Sequence, residues 1–127
     1  FRLIFHPLMK TGTQLITEER ERQLTTKGWT AEHDDSHEIG ELCSAAGCYL
    51  FAGDCLANAR VMNPKYQCTP ASLKKEIMDN RKLLNWPFDF AELHLDPDPI
   101  RNLTKAGALI AAEIDRLQRR HPSGSVP

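Results

Sequence analysis

The segment from Gly28 to Gly53, GWTAEHDDSHEIGELCSAAGCYLFAG, places ionisable side chains directly in front of an apolar run. Its first fourteen residues contain two His, two Asp and three Glu. On one continuous helix, Asp34, Glu38 and Glu41 would lie within an arc of roughly 60°. Carboxylates this close repel one another unless a cation joins them, and Mg²⁺ accepts carboxylate oxygens while keeping positions open for phosphates. The pattern therefore predicts a divalent-cation site of the kind found in nucleotide-processing proteins, with an ordinary solvent-facing helix surface as the alternative.

A carboxylate from a second helix is expected to complete this site. Glu113 lies on the flank of an apolar stripe, with Leu109 and Leu117 one helical turn away on either side, so it is expected to take part in the site rather than to be an idle surface charge. Lys105 and Arg101 precede it in the same segment, where they could contact a phosphate or remain ordinary surface charges. The expected ligands of Mg²⁺ or Mn²⁺ are thus Asp34, Glu38, Glu41 and Glu113.

The two histidines of the same segment suggest other metal chemistry. His33 and His37 are four residues apart, as in the HExxH helices that bind zinc. The similarity is incomplete, because Asp34 is one methylene shorter than the usual Glu base and no third ligand is marked. The doublet His33–Asp34 also resembles HD-type phosphohydrolases, but the upstream His that they need would have to be His6. Capping or surface roles for the histidines stay open.

Aromatic residues cluster in the middle of the chain. Trp86, Phe88 and Phe90 surround Pro87, and Trp29 directly precedes the acidic segment. Such rings can stack on a nucleobase, or they can close the open end of a helical bundle. Together with the charged candidates, the expected substrate-binding residues are His33, His37, Lys105, Arg101, Trp29 and Trp86.

Capping and turn residues predict four helices that would carry these side chains. They are expected to begin at Thr17, near Asp34 or Asp35, at Thr69–Pro70 and at Asp98–Pro99. The second should run to about Ala52 with one apolar stripe, and the fourth shows near-heptad spacing. The two stripes are Ile39, Leu42, Cys43, Ala46 and Leu50, and Leu103, Ala106, Ile110, Ile114 and Leu117. The fold class predicted is all-α, a small four-helix bundle that forms oligomers.

Composition bounds the class of protein. The chain has 127 residues and a net charge of −1, which fits one domain and shows no basic excess for binding nucleic acid. No apolar run is long enough for a membrane span, and the four cysteines lack CxxC spacing, so we expect reduced thiols and a cytoplasmic protein. Residues 1–8 look like a leader, residues 9–121 like a single helical domain, and residues 122–127 like a flexible tail. A fragment cleaved from a longer protein is the alternative.

The segment HEIGELCSAAGCY resembles the acidic helix of MazG-type nucleoside triphosphate pyrophosphohydrolases, an all-α family that pairs ExxE and ExxD helices around Mg²⁺. Glu38 and Glu41 match the ExxE element. The ExxD element departs from the pattern: Glu76 and Asp79 have the right spacing but lie further along than the family places them. The resemblance implies Mg²⁺-dependent cleavage of a nucleoside triphosphate.

A second resemblance is to small phage and prophage proteins with the elements ERxRQ, GWTxEHDDxHxxGEL and KAGALIxAEIxRL. Here these elements occupy residues 19–23, 28–42 and 105–117. The resemblance covers most of the chain outside residues 54–100. It implies a phage-derived protein of the bacterial cytoplasm and carries no activity with it.

Two functions are therefore predicted. The first is an Mg²⁺-dependent nucleotide-binding homodimer that acts, if active, as a nucleoside triphosphate pyrophosphohydrolase, with Asp35 as base and Glu41 as an essential carboxylate. The second is a non-catalytic phage module that binds a host protein or sequesters a signalling nucleotide. The partner expected in the first case is a nucleotide or another phosphorylated small molecule.

Overall fold

A computed structural model describes residues 9–62 and 68–121. These residues form five α-helices, with one short 3₁₀ helix at Phe90–Glu92. The helices are α1 (Gly12–Thr25), α2 (Ala31–Asp35), α3 (Glu41–Met62), α4 (Pro70–Asp79) and α5 (Pro99–Arg120). The all-α prediction is confirmed. The predicted leader, residues 1–8, and the predicted tail, residues 122–127, lie outside the described residues.

Helix α1 begins earlier than predicted. Its N-cap is Thr11, whose side chain accepts a hydrogen bond from the Gln14 N–H, while the Gln14 side chain accepts one from the Thr11 N–H. This reciprocal capping box satisfies backbone donors that the first helical turn leaves free. Thr17, the predicted start, lies inside the helix and donates its hydroxyl to the Thr13 carbonyl.

The predicted second helix is two helices. Thr30 caps the short α2, and the chain then turns through Gly40, whose φ of +87° suits a glycine, before α3 begins at Glu41. Asp34 and Glu41 therefore belong to different helices. The single acidic arc predicted for Asp34, Glu38 and Glu41 is wrong for this reason.

The starts of the last two helices are confirmed. Thr69 forms a capping box with Ser72 at the start of α4, and the Asp98 side chain accepts the Ile100 N–H at the start of α5. Helix α4 ends at Asp79, because Asn80 leaves the helical conformation there.

Helices α3 and α5 pack against each other and run antiparallel. Gly53 lies directly against Leu103, and at the other end burial and the charge of the nearby Glu113 raise the pKa of the Cys43 thiol. Helix α1 crosses α5 where Ile16 packs onto Gly107. The core between these elements is formed by Leu42, Ala45, Ala46, Cys48, Tyr49, Ile77, Trp86, Leu93, Ala106, Leu109 and Ala112.

The two predicted apolar stripes are buried only in part. Leu42 and Ala46 of the first and Ala106 of the second lie in the core. The exposed members are Ile39, Cys43, Leu50, Leu103, Ile110, Ile114 and Leu117. Beside its core residues, the inner side of α5 carries polar residues that have partners within the fold: Arg101, Asn102, Glu113 and Arg116.

Two further findings bear on the class of protein. All four cysteines, at positions 43, 48, 55 and 68, are free. Within residues 9–62 and 68–121, no helix has the length and apolar character that crossing a membrane requires.

Candidate functional site

A cavity of about 560 Å³ opens between α1, α2, α3, α5 and the segment that precedes α5. This volume lies within the range of roughly 300–1,000 Å³ that is typical of small-molecule sites. Four cations line the cavity against two carboxylates: Arg22, Lys27, Arg101 and Lys105 against Glu19 and Glu92. The Lys, Arg and Glu side chains that line the cavity therefore sum to a net positive charge, on a chain whose overall charge is −1.

Glu19 holds the two arginines of the cavity in place. Nε and Nη2 of Arg22 donate to its two carboxylate oxygens at 2.8 Å each, and Nη2 of Arg101 lies 2.7 Å from Oε1. The Gln23 amide donates to Oε2 at 3.1 Å. Because Glu19 comes from α1 and Arg101 from α5, this carboxylate also ties the two helices together at the cavity.

Burial and pairing oppose each other at Glu19. Burial favours the neutral acid, but the hydrogen bonds from Arg22 and Arg101 outweigh it and lower the pKa of Glu19 from 4.5 to about 2. The carboxylate is thus charged at neutral pH. Its two guanidinium partners keep N–H groups beyond those bound to Glu19, and in the described part of the chain these have no hydrogen-bond acceptor.

Lys105 forms the next part of the basic wall. Its Nζ donates to the His94 carbonyl at 2.7 Å and lies 5.3 Å from the centre of the Tyr49 ring. The Tyr49 hydroxyl accepts a hydrogen bond from the His94 N–H at 3.2 Å. Helix α3, helix α5 and the segment that precedes α5 therefore meet at this point. Burial, followed by the charge of Arg101, lowers the pKa of Lys105. An anion in the cavity would relieve this crowding of cations.

A row of aromatic rings also lines the cavity and ends beside the basic wall, where Lys105 Nζ lies 5.3 Å from the centre of the Tyr49 ring. Trp29 stacks on His33 with centroids 5.6 Å apart and planes 1° from parallel. His33 contacts His37 edge to face at 4.9 Å, and His37 contacts Phe88 at 5.1 Å. The row continues from Phe88 to Trp86 at 5.5 Å and from Trp86 to Tyr49 at 5.7 Å.

The loop that carries Trp86 and Phe88 is held by buried polar contacts. The Trp86 ring N–H donates to the Asp89 carbonyl at 2.9 Å. The fully buried Asn102 donates to the Asp96 carbonyl at 2.7 Å and accepts the Asp96 N–H at 2.9 Å. These contacts fix the loop against α5, so the aromatic wall is formed before any ligand arrives.

The structure brings together all six residues that the sequence predicted for substrate binding. They line this one cavity: Trp29, His33, His37, Trp86, Arg101 and Lys105. Sequence reasoning missed Glu19, Arg22, Tyr49 and His94, which position the others. The spacing of Glu19 and Arg22 was a local signal for an ion pair, but nothing in the sequence indicated that Arg101 would join it.

The predicted metal ligands Asp34 and Glu113 each pair with a cation. Asp34 is almost fully buried, with Oδ2 3.7 Å from Arg20 and Oδ1 3.1 Å from the His33 ring nitrogen. Glu113 accepts Nε and Nη2 of Arg116 at 2.6 and 3.1 Å. Protein cations therefore already offset both charges.

Glu41 and Glu38, the other two predicted ligands, do not join them. Glu41 accepts the Ile39 N–H at 2.9 Å and lies 3.2 Å from the His37 ring nitrogen. Burial would raise its pKa, but these hydrogen bonds lower it. Glu38 is exposed, and Asp35, the predicted base, pairs with Arg119 at 2.8 Å.

The arrangement does not fit a shared magnesium site. Within residues 9–62 and 68–121, no three His, Cys, Asp or Glu side chains are placed to hold one metal ion. The same finding applies to the zinc alternative. In addition, α2 ends at Asp35, so His33 and His37 do not lie on one helix as an HExxH motif requires. Among the predicted site carboxylates, Asp34, Asp35 and Glu113 have arginine partners in the described part of the chain.

Comparison of the chain with family models, with curated proteins and with solved structures gives no match. The resemblances to MazG-type enzymes and to small phage proteins therefore stay predictions. The cavity itself supplies the grounds for a functional proposal.

Proposed function

We propose that the protein binds a nucleotide, or a similar phosphorylated molecule with a flat ring, in the cavity between α1, α3 and α5. The observation that carries the proposal is that one cavity is lined both by cations and by a row of aromatic rings. A ligand that satisfies both walls needs an anionic group and a planar ring. Nucleotides combine the two within the volume available.

The basic wall suits a phosphate. Arg22 and Arg101 are fixed by Glu19, so little side-chain freedom would be lost when their remaining N–H groups bind a ligand oxygen. Lys105 adds a third cation, held by the His94 carbonyl. Partly sheltered cations of this kind attract a dianion more strongly than exposed lysines, because water screens them less.

The aromatic wall suits a base. Trp29 and His33 lie parallel, and an indole or imidazole face tolerates any of the bases. Gln23 adds a polar contact: its Oε1 is buried and has no hydrogen-bond partner among the described residues. A ligand N–H or O–H is the complement that such an acceptor requires.

Binding without turnover is the form of the function that we favour. Hydrolysis of a triphosphate on Mg²⁺ would require Asp34, Glu38, Glu41 and Glu113 to act together, and the first, third and fourth already have protein partners. The carboxylates that line the cavity are Glu19 and Glu92, of which Glu19 is engaged by two arginines. Capture of a signalling nucleotide, the second predicted function, matches this chemistry better than catalysis.

Isothermal titration calorimetry tests the proposal directly. The panel consists of nucleoside mono-, di- and triphosphates, a cyclic dinucleotide, NAD, the nucleosides and pyrophosphate, each with and without Mg²⁺. We expect at least one nucleotide to bind more tightly than both its nucleoside and pyrophosphate. If none of these ligands binds, the proposal is overturned and capture of a host protein becomes the better candidate.

Two variants separate the walls. Lys105→Met should weaken both nucleotide and pyrophosphate binding by roughly tenfold or more, because it removes a sheltered charge. Trp29→Leu should weaken nucleotide binding by a similar factor and leave pyrophosphate unchanged. Lys82→Met, at an exposed position outside the cavity, is the matched control and should change neither.

Turnover is measured separately. Pyrophosphate and phosphate release are followed with each bound nucleotide in the presence of Mg²⁺ or Mn²⁺. We expect no release above the rate without protein. Release that depends on the metal and disappears in Glu41→Ala would instead support the pyrophosphohydrolase prediction.

A further inference from the structure

The outward face of α5 is an apolar heptad seam. Positions alternate in steps of three and four residues and hold Ile100, Leu103, Gly107, Ile110, Ile114 and Leu117. The five large side chains of this set are 40–58% exposed, whereas Gly107 is covered by Ile16 of α1. We call these six positions the α5 seam. A spacing of this kind is what two helices need to interlock side chains along their length.

The surface that the α5 seam exposes is large for one chain. Five aliphatic side chains that are about half exposed present on the order of 500 Å² of apolar surface, the upper end of what single-chain proteins leave uncovered. A standard protein interface buries roughly 800 Å² on each partner. The seam therefore supplies most of the area that a stable dimer requires, and its flanks on α1 and α3 can supply the rest.

A groove lies beside the α5 seam. It follows the outer side of α3, where Gly47 and Ala57 leave room between Leu50 and Phe51, and Leu103 forms its border with the seam. Leu50 is 52% exposed. Asp54 at the groove accepts a hydrogen bond from Asn58 at 2.7 Å, so its carboxylate is partly satisfied within the chain.

From the seam and the groove we infer that this face binds a second copy of the chain. A ridge beside a groove on two antiparallel helices is self-complementary, because a two-fold rotation places the ridge of each copy against the groove of the other. The seam from Leu103 to Leu117 is about 21 Å long, so its partner must offer an apolar helix of at least that length. The second copy offers an apolar surface of this length in its own α5 and in the groove on its α3. The two copies together then form a four-helix core from α3 and α5.

The interface is independent of the nucleotide cavity. The cavity faces the side of α5 that carries Arg101, Lys105 and Leu109, whereas the seam faces away from it. Dimerisation can therefore fail without loss of nucleotide binding, and the reverse also holds.

Analytical ultracentrifugation of the full chain tests the inference. We expect the wild-type protein to sediment at twice its chain mass of 14.4 kDa. The double variant Ile110→Glu, Ile114→Glu should sediment as a monomer, with dimer affinity lowered by about a hundredfold or more. Because both side chains are about half exposed, the variant should keep the helix content of the wild type in circular dichroism.

Two controls make the test specific to this face. Leu83→Glu, at a position 86% exposed outside the seam, should leave the dimer intact. A mixture of Ile110→Glu and Ile110→Lys chains should form heterodimers more readily than either variant forms homodimers, since a two-fold interface brings seam positions of both copies close.

Three outcomes would overturn the inference. The first is a wild-type chain that stays monomeric at about 100 µM, well above the dissociation constants of stable dimers. The second is a dimer that the double variant does not disrupt. The third is a monomer that dimerises only after residues 1–8 are removed, which would mean that this segment covers the seam.

Discussion

The two faces of α5 differ in their side chains: the inner face combines core residues such as Ala106 and Leu109 with paired polar groups, whereas the outer face is apolar and exposed. Its inner face carries Arg101, Asn102, Glu113 and Arg116, all buried or half-buried and all paired. Its outer face is the apolar α5 seam, open to solvent in the single chain. The inner face therefore needs specific polar partners within the chain, and the outer face is where we infer that a second copy binds.

This difference explains how polar residues can decide the orientation of a helix. A buried charge without a partner costs several kcal/mol, whereas a half-exposed Ile loses only part of its transfer free energy. Rotating α5 to bury the seam would separate Arg101 from Glu19 and expose or strand the Glu113–Arg116 pair. The observed orientation keeps every such pair and leaves the apolar surface exposed, where the inferred second copy would cover it.

Neighbouring substitutions on opposite faces should give the largest contrast. Glu113→Ala leaves the buried Arg116 without its partner and should lower the free energy of unfolding by about 3 kcal/mol or more. Ile114→Ala, one residue along but half exposed, should cost less than about 1 kcal/mol. Both are measured by urea denaturation in an Ile110→Glu background, where dimerisation does not contribute. A larger loss for Ile114→Ala would contradict the proposed role of the inner face.

The pH dependence of stability should report the Glu19 contact between α1 and the inner face. Its pKa falls from 4.5 in the unfolded chain to about 2 in the folded one. The stabilisation of roughly 3 kcal/mol is therefore complete above pH 4.5 and is lost as pH falls toward 2. Urea titrations from pH 6 to pH 2 should show this decline in the wild type. In Glu19→Gln the slope should be shallower, and equal slopes would exclude Glu19 as its source.

The two glycines of α3, Gly53 and Gly47, should respond differently to an added methyl group. A methyl group at Gly53 would lie 2.7 Å from the Leu103 side chain, so Gly53→Ala should lower the free energy of unfolding by about 1–2 kcal/mol. Nothing lies within 4 Å of such a group at Gly47. Gly47→Ala should therefore raise the stability of the monomeric Ile110→Glu chain by up to about 1 kcal/mol through helix propensity. Equal effects at the two positions would contradict the packing of α3 on α5.

Contacts between residues that are close in sequence predict where the helices begin, but they do not predict which face of each helix is buried. Capping residues such as Thr69 and Asp98 determine a helix start through contacts within a few residues, so the starts of α4 and α5 could be predicted from the sequence. The orientation of α5 depends on Glu19, which lies far away along the chain. The apolar spacing of α5 predicts that this face packs against another helix. It cannot show whether that helix belongs to the same chain or to a second one.

At the candidate site, too, suitable residue types could be predicted from the sequence, whereas their partners in the folded chain could not. Residue types suited to a nucleotide, such as Trp29 and Lys105, could be selected without a structure, and the structure places all six selected residues around one cavity. Along the sequence, the acidic residues have no evident counter-charge, and for this reason the sequence predicts that they bind a metal ion. The cations that oppose them, Arg20 and Arg116 among them, lie on α1 and α5, and their proximity arises only on folding.

The smallest predicted effect links proton uptake to the inner face. Burial and Arg101 lower the pKa of Lys105 in the free protein, and a bound phosphate would raise it again. Nucleotide binding at alkaline pH should therefore take up protons, and affinity should fall by no more than about tenfold per pH unit as pH rises. Titrations in two buffers of different ionisation enthalpy measure this uptake. It should disappear in Lys105→Met and persist in the seam variant Ile110→Glu, because the seam faces away from the cavity. Uptake that survives Lys105→Met would assign the proton to another group, and uptake lost in Ile110→Glu would show that the two faces of α5 are coupled.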